Sequence, residues 1–243
     1  MPSIRAFRGL RFVQNRVDYG AVVAPASPTD PRHVAHLLDA TRKDDDGKDA
    51  PLRRARLRLA EWQRAGLLAR DAQPAMYAVH RKSDDGEATG LFCALSVDAA
   101  TAQPATRGDD TREARLGALA LAVEPVVATF TEPRVKRTVD NAVDREADAA
   151  WRVGGTSYEL WCVDEESTTA RIATLLSQAP IAICANADAL AAQAAWWKRT
   201  SGNIDDDRPR AGAYALAFLH ADDERWPEVP VGAALLPLRG MLE

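Results

Sequence analysis

The turn at residues 185–189 is where residue type and spacing bear most directly on chemistry. It follows an apolar run that starts at Pro180 and precedes an alanine-rich stretch that reaches Trp197. A buried strand, a tight turn and a helix start, in that order, commonly form a phosphate or substrate site, because free N–H groups of the helix face the turn. Only Asn186 and Asp188 carry polar side chains in this turn, which lacks glycine, histidine, arginine, lysine and hydroxyl groups. The pattern therefore predicts the backbone arrangement of a phosphate or substrate site that lacks most of the side chains such a site uses.

A second candidate is a pair of histidines, His33 and His36, placed three residues apart on a predicted helix with Asp30 nearby. That spacing would let both rings face one metal ion. A catalytic zinc usually has three protein ligands, and no third ligand is evident here. The alternative is two histidines on the surface of a short helix, and we predict no metal site.

Three further polar clusters have both a functional and a structural interpretation. Arginines follow Pro51 and could bind phosphate or simply form a solvated helix face: Arg53, Arg54, Arg56, Arg58 and Arg64. The acidic runs at 44–46 and 205–207 lack the ligand spacing of a calcium loop and are typical of solubilising loops. Residues 154–157 could offer backbone N–H groups to an anion or turn the chain before a strand.

Composition and charge exclude several classes of protein. The chain has 243 residues, 47% of them hydrophobic, and a net charge of −4. We therefore expect a globular domain with no nucleic-acid partner, and no apolar run is long enough to cross a membrane. The N-terminus lacks the apolar segment of a signal peptide. Three widely spaced cysteines, Cys93, Cys162 and Cys184, favour reduced thiols and a cytoplasmic location.

The elements that would position these residues alternate irregularly along the chain. Predicted strands cover residues 4–12, 21–24, 75–82, 89–97, 125–130, 156–163, the run from Pro180, 214–219 and 232–236. Predicted helices cover residues 31–41, 51–66, 110–123, 134–149, 167–178 and the segment from the 185–189 turn to Arg199. Asp84-Asp85-Gly86 indicates a hairpin between two of the strands. The sequence predicts an α/β (α+β) fold, a mixed β-sheet flanked by helices, in a single domain over residues 1–243.

In order and spacing, several segments resemble a bacterial and archaeal family, domain of unknown function family 1015. IRAFRGLRF at residues 4–12 is similar to the family's opening strand, IRPFRALRY, and VVAP at 22–25 resembles the start of its VVAPPYD motif. The tract from Leu59 to Tyr77 resembles the family's helix, turn and P-A-F-Y strand. Residues 158–164 resemble HxLWxIxD, and PIAI at 180–183 resembles the strand that enters IADGHHRY. The resemblance covers nearly the whole chain and implies the family's fold.

The DGHHR turn of that family is itself similar to a motif of the ParB, sulfiredoxin and free-serine-kinase superfamily. That similarity implies ATP or ADP as cofactor, with magnesium, and a small hydroxyl acceptor such as serine. In such a turn, glycine allows close backbone approach, and arginine and histidine neutralise phosphate.

This chain departs from the family where the chemistry should lie. The family's DGHHR turn is replaced in this chain, position by position, by Ala185, Asn186, Ala187, Asp188 and Ala189. Residues 26–28 replace PYD of the VVAPPYD motif, residues 104–107 lack the histidine and glutamate of PHERT, and residues 236–239 lack the histidine of LPTHR. The chain also ends at Glu243, short of full-length relatives, which makes us expect a truncated member resembling their N-terminal part.

The leading hypothesis is a non-catalytic homologue, a pseudoenzyme that binds a small ligand or a protein partner. The alternative is a diverged ATP- or ADP-dependent phosphotransferase whose site consists of Arg8, Arg107, Asn186 and Asp188, joined by one deep pocket. A third possibility is a structural subunit of a larger complex. In the leading hypothesis no residue is catalytic, and those four residues would contact the ligand in any remnant pocket.

Overall fold

The fold is known from a computed structural model that describes residues 3–39, 47, 49–98, 110–201 and 211–238. The strands are β1 (Ile4–Arg5), β2 (Leu10–Phe12), β3 (Leu68–Arg70), β4 (Met76–Ser83), β5 (Gly86–Ser96), β6 (Leu121–Ala122), β7 (Val126–Phe130), β8 (Ala149–Val153), β9 (Thr156–Val163), β10 (Ile181–Ala185), β11 (Tyr214–Ala221) and β12 (Leu236–Pro237). The helices are α1 (Tyr19–Val22), α2 (Ala35–Leu38), α3 (Ala50–Arg64), α4 (Asp110–Leu119), α5 (Pro133–Ala142), α6 (Glu166–Gln178) and α7 (Ala187–Thr200).

An eight-stranded mixed sheet forms the centre of the molecule. Its strand order is β10-β7-β11-β5-β4-β9-β8, and β1 pairs with β5 beside this path. β11 and β7 are parallel, whereas the other neighbours in the sheet are antiparallel. The predicted α/β class, with a mixed sheet and flanking helices, is confirmed.

Both faces of the central strands are buried. Tyr77 and Val79 of β4 pack into a core with residues of α1, α2, α3 and α4, whereas Met76 and Ala78 pack on the opposite face with residues of α5 and α6. This two-sided burial explains the continuous apolar runs at residues 76–79 of β4, 91–95 of β5 and 214–219 of β11. The predicted hairpin is confirmed: Ser83 pairs with Gly86 around Asp84-Asp85, and Gly86 has a φ of 124°.

The predictions near the N-terminus need correction. Residues 21–24 do not form a strand; the chain is helical over α1, because the Asp18 carboxylate accepts a hydrogen bond from the Gly20 N–H and caps that turn. Of the predicted helix at 31–41, the described residues 31–39 are helical only over α2. Asp30 Oδ1 instead accepts the Arg32 N–H at 2.7 Å, which holds the preceding residues in a turn.

Two strands also differ from expectation. The helix predicted over 134–149 ends at Ala142, and β8 follows it as one arm of a hairpin that turns at Gly154-Gly155. The strand after Pro180 was predicted to be buried, but β10 is an edge strand whose Ala182, Cys184 and Ala185 are exposed. In the predicted strand at 232–236, only Leu236 belongs to a strand, β12.

No helix in the described part of the chain has the length and apolar character needed to span a bilayer.

Candidate functional site

The turn between β10 and α7 is held by the backbone conformation of Asn186. This residue has φ 55° and ψ 35°, in the left-handed region, where asparagine is tolerated better than most side chains. Its Nδ2 donates a hydrogen bond of 3.0 Å to the carbonyl of Pro125. The Ala189 N–H closes the first turn of α7 on the Asn186 carbonyl at 2.9 Å. Asn186 therefore stands where the chain reverses between strand and helix.

A bulge in β10 sets the direction of the residues that lead into this turn. The register with β7 shifts between Ile183 and Ala185, so that Ala185 pairs with Val127. The thiol of Cys184, the extra residue, donates a weak hydrogen bond to the Val127 carbonyl, with an S–O distance of 3.4 Å. Bulges of this kind commonly redirect side chains at sheet edges.

A groove of about 670 Å³ lies beside this turn, and we call it the turn groove. Three chain segments enclose it: Ala24–Pro28 with the nearby His33, Cys184–Asn186, and Trp226–Val231. Val127 and His220 of the sheet also line it. The groove brings together the segment that resembles VVAPPYD and the segment that resembles the DGHHR turn, although 159 residues separate Pro25 from Cys184 in the sequence.

His33 brings a buried hydrogen-bond donor to the turn groove. The residue is 2% exposed, and its Nδ1 accepts a hydrogen bond of 3.0 Å from the Ala35 N–H. In the neutral ring the proton must then sit on Nε2, which is fully buried and forms no hydrogen bond of normal geometry with the described residues, although the Ala26 backbone is close enough to raise the pKa of the ring. A buried donor left without a partner costs about 1–3 kcal/mol.

The protonation state of His33 follows from its surroundings. Burial lowers the pKa of His33, and the neighbouring His36 lowers it further; the Ala26 backbone and Asp30 act in the opposite direction. The net direction is downward, so the ring is neutral at pH 7.

Trp226 and His220 contribute two aromatic rings to the lining of the turn groove. Trp226 Nε1 is buried and forms no hydrogen bond with the described residues, while its ring packs edge-on against Phe218 at 4.7 Å between centroids. His220 Nδ1 donates to the Ala221 carbonyl at 2.8 Å, which leaves Nε2 with a free lone pair in the neutral ring. His33, His220 and Trp226 thus belong to the lining of the turn groove, while the N–H atoms of His33 and Trp226 that lack a partner are buried within the protein.

The charge of the turn groove is not suited to phosphate. Among the described residues that line it there is no lysine or arginine, and Glu228, which is exposed, is the one carboxylate. Phosphate sites in proteins normally neutralise the ligand with arginine or lysine. The carboxylate of Asp188, in the first turn of α7, also offsets the partial positive charge at that helix end and so weakens its attraction for phosphate.

The four predicted site residues do not meet in one pocket. Asn186 lines the turn groove, but Asp188 Oδ1 lies 3.1 Å from Arg112 Nη1 and connects α7 to α4. Arg112 and Arg115 also pair with Glu124, at 3.3 and 2.7 Å. Arg8 lies between β1 and β2 and is not a groove-lining residue. Arg107 lies outside the described residues.

The other sequence candidates have structural partners or lie outside the described residues. The rings of His33 and His36 are 6.5 Å apart, and Asp30 is paired with Arg32 at 2.7 Å. No three His, Cys, Asp or Glu side chains among the described residues are placed to hold a metal ion. On α3, Arg58 donates to the His36 carbonyl at 3.1 Å. The acidic runs at 44–46 and 205–207 lie outside the described residues.

Sequence reasoning missed His220, Trp226 and Glu228. None of them belongs to a local motif, and each reaches the turn groove only because β11 and the loop after it lie beside β7 and β10. His33 was singled out, but as a metal ligand. The sequence signal for the groove was the presence of two segments that resemble family motifs, at residues 22–25 and 180–183. Nothing in the sequence indicated that a third segment, Trp226–Val231, also lines the groove.

Comparison with known proteins finds one family. A model of the family described as "Protein of unknown function (DUF1015)" matches residues 26–224. No curated protein and no solved structure matches the chain significantly.

Proposed function

This chain belongs to the DUF1015 family, and from that premise we propose that it is a non-catalytic member that binds a small molecule or a protein partner in the turn groove. The observation that carries the proposal is the lining of the groove. It combines apolar walls with a few hydrogen-bonding groups, an arrangement typical of ligand sites, and it lacks a cation among the described residues. Loss of the family's phosphate-handling turn would leave such a groove.

Phosphoryl transfer needs groups that this groove does not supply. Positioning and charge stabilisation provide nearly all of the catalysis in such reactions, through cations, metal ions and oriented N–H groups. At the start of α7 the side chains at 187 and 189 are methyl groups, and Asp188 pairs with Arg112. We therefore propose no catalytic residue and no cofactor.

The alternative remains a diverged ATP- or ADP-dependent phosphotransferase that uses magnesium and a small hydroxyl acceptor such as serine. It would require Arg8 and Arg107 to join Asn186 and Asp188 around the nucleotide. The separation of Asp188 from the groove weighs against this site. Under either hypothesis the expected setting is the bacterial cytoplasm, where Cys93, Cys162 and Cys184, all free thiols, would remain reduced.

The experiment that separates the two is a turnover assay by ³¹P NMR, with ATP or ADP, magnesium and serine, run beside thermal-shift titrations. We expect no phosphoryl transfer and no nucleotide-dependent shift. A nucleotide bound at 100 times its Kd would stabilise the protein by about 2.7 kcal/mol, a shift of about 5–10 °C for a chain of this size. Turnover that is lost in Asp188→Asn would overturn the proposal in favour of the phosphotransferase.

The binding part of the proposal needs its own variant pair. Ala185 lines the turn groove and is exposed, so Ala185→Phe would fill the space beside Asn186. Ala182 lies on the same strand, is equally exposed and does not line the groove, which makes Ala182→Phe the matched control. A small molecule that stabilises the wild-type protein and Ala182→Phe, but not Ala185→Phe, would support the groove as the binding site. Equal stabilisation of both variants would place binding elsewhere.

A further inference from the structure

We propose that the outer face of α3 is a docking surface for an acidic amphipathic helix of another protein. The surface, which we call the α3 stripe, consists of Arg53, Leu57, Ala60 and Arg64. None of these residues lines the turn groove, so the two surfaces are separate. The inference therefore adds a protein-interaction surface and does not depend on the proposed function.

The first argument is the geometry of the helix. Ala55 and Trp62 are buried and fix the inner side of α3 against the core. On a helix the four stripe residues fall within about 60° of one another, opposite Trp62, and they span about 16 Å. Both arginines of the stripe and Leu57 are exposed, and Ala60 is partly exposed. The stripe is thus a straight outward row with an arginine at each end and an apolar centre.

The second argument is positive charge without a counter-charge. Helix α3 carries five arginines and one glutamate, in a chain whose net charge is −4. Arg53, Arg56 and Arg64 are exposed and form no ion pair with the described residues. The exposed Arg134, by contrast, pairs with Glu132 at 2.7 Å. Unpaired arginines on one face complement the carboxylates of a partner.

The third argument is the crowding of these like charges. Arg53 and Arg56 are three residues apart, so they are neighbours on the helix surface and repel each other. At the other end of the stripe, Arg16 Nη1 lies 3.8 Å from where a Cβ on Gly66 would stand, which brings another exposed arginine close to Arg64. This arrangement lowers the stability of the helix and raises the local positive charge. An acidic partner would compensate both effects.

The fourth argument is the apolar centre. Leu57 is 57% exposed, and in the described part of the chain no other large apolar side chain is classed as exposed. A helix laid along the stripe would bury Leu57 against an apolar side chain of its own, while the small Ala60 allows close approach. Nucleic acid would meet the same arginines but gain little from Leu57. No aromatic ring among the described residues is exposed for a base to stack on.

The same features decide between a second copy of the chain and another protein. Two α3 stripes placed face to face about a two-fold axis would bring their arginines together, which like-charge repulsion opposes. The occupant must therefore be acidic. One stripe buries much less area than a standard interface, so the contact is weak and transient.

The probe is a fluorescein-labelled peptide of about 20 residues, built from alanine and glutamine so that it is helical in water. It carries a glutamate at i, a leucine at i+4 and a glutamate at i+11, the spacing of the stripe. The control peptide has the leucine moved to the opposite face. Fluorescence anisotropy follows binding to the full chain at about 50 mM salt, where exposed charges are only partly screened.

Three variants test the stripe. The double variant Arg53→Ala/Arg64→Ala removes both end charges, and Leu57→Gln removes the apolar centre; alanine and glutamine both favour helix. The matched control is Arg137→Ala/Arg171→Ala, which makes the same change of charge at exposed positions of α5 and α6.

We expect the wild-type chain to bind the peptide saturably, with a Kd on the order of 100 µM. Arg53→Ala/Arg64→Ala and Leu57→Gln should each bind about tenfold more weakly, the effect of two exposed ion pairs and of one buried leucine. The control peptide should also bind about tenfold more weakly, and Arg137→Ala/Arg171→Ala within about twofold of the wild-type chain.

The contrary outcomes are distinct. Absence of saturable peptide binding by the wild-type chain would overturn the inference. Equal weakening by the two double variants, with no effect of Leu57→Gln, would also overturn it, because binding would then be general charge attraction. A short DNA duplex and phosphatidylserine vesicles are titrated in parallel. If either binds more tightly than the peptide and loses binding in Arg53→Ala/Arg64→Ala, the stripe serves that class of partner and the acidic helix is refuted. Each of these results leaves the proposed function of the turn groove unchanged.

Discussion

Replacement of Asn186 tests whether the turn that precedes α7 is held as the structure indicates. Two effects act at this residue: the left-handed backbone and the hydrogen bond from Nδ2 to the Pro125 carbonyl. That hydrogen bond contributes about 1 kcal/mol, and the left-handed conformation costs an ordinary side chain roughly 1–2 kcal/mol, less for asparagine and nothing for glycine. Glycine also gives the unfolded chain extra freedom, which costs about 0.4–1 kcal/mol.

Combining these terms, Asn186→Ala should lower the free energy of unfolding by about 2 kcal/mol, and Asn186→Gly by about 1–1.5 kcal/mol. Urea denaturation of the two variants and the wild-type protein measures the difference of about 0.5–1 kcal/mol, which corresponds to about 1–4 °C in Tm. Ala120 is the control, since it has φ 49° and no side-chain hydrogen bond to lose. Ala120→Gly should gain about 0.5–1 kcal/mol. If Asn186→Gly is as unstable as Asn186→Ala, the left-handed turn is refuted.

Three other predictions concern the core, the protonation of His33 and the edge strand. Tyr77→Phe should destabilise by about 1–3 kcal/mol in urea denaturation, since the buried hydroxyl accepts from the Gly9 N–H at 2.6 Å and donates to Asp71 at 2.7 Å; an unchanged midpoint would contradict this network. Because the pKa of His33 is lower in the folded state than its ordinary 6.5, the unfolded chain binds the proton first as pH falls, and stability should decline below pH 6.5. His33→Gln should decline less between pH 7.5 and 5.5, and equal slopes would exclude His33 as the cause. Cys184, exposed at the bulge, should be alkylated in the native protein while buried Cys93 is not, as peptide mass spectrometry would show; labelling of both to the same extent would contradict the assigned burial.

Much of the fold follows from local signals in the sequence. The Asp84-Asp85-Gly86 turn, the apolar spacing on α3 and α6, and the strand-turn-helix order at 180–197 all predict the observed elements, because each depends on a few neighbouring residues. β8 was missed because its five residues follow a polar helical stretch, and the Gly154-Gly155 turn that pairs it with β9 was interpreted as a turn before one strand, with an anion loop as the alternative, and not as a hairpin turn. The exposure of β10 could not be predicted, since an uncharged strand reads as buried whether or not a neighbour covers its outer edge.

The candidate site was predictable in outline only. The turn at 185–189 and the segment at Ala24–Pro28 were both singled out, and residues of both line one groove. Asp188 was expected to share a pocket with Asn186, but residues two positions apart at a helix start point to nearly opposite sides, and Asp188 pairs with Arg112 on α4 instead. His220 and Trp226 come from a distant strand and loop, and no local spacing indicates that tertiary packing brings them to the groove.

The most direct test of the central claim is isothermal titration of the wild-type protein with magnesium ADP and magnesium ATP. The lack of lysine and arginine among the described residues that line the turn groove predicts no saturable heat up to millimolar nucleotide. Binding with a Kd below about 100 µM, or about −5.5 kcal/mol, would show that the protein binds nucleotide without such a cation and would contradict the account.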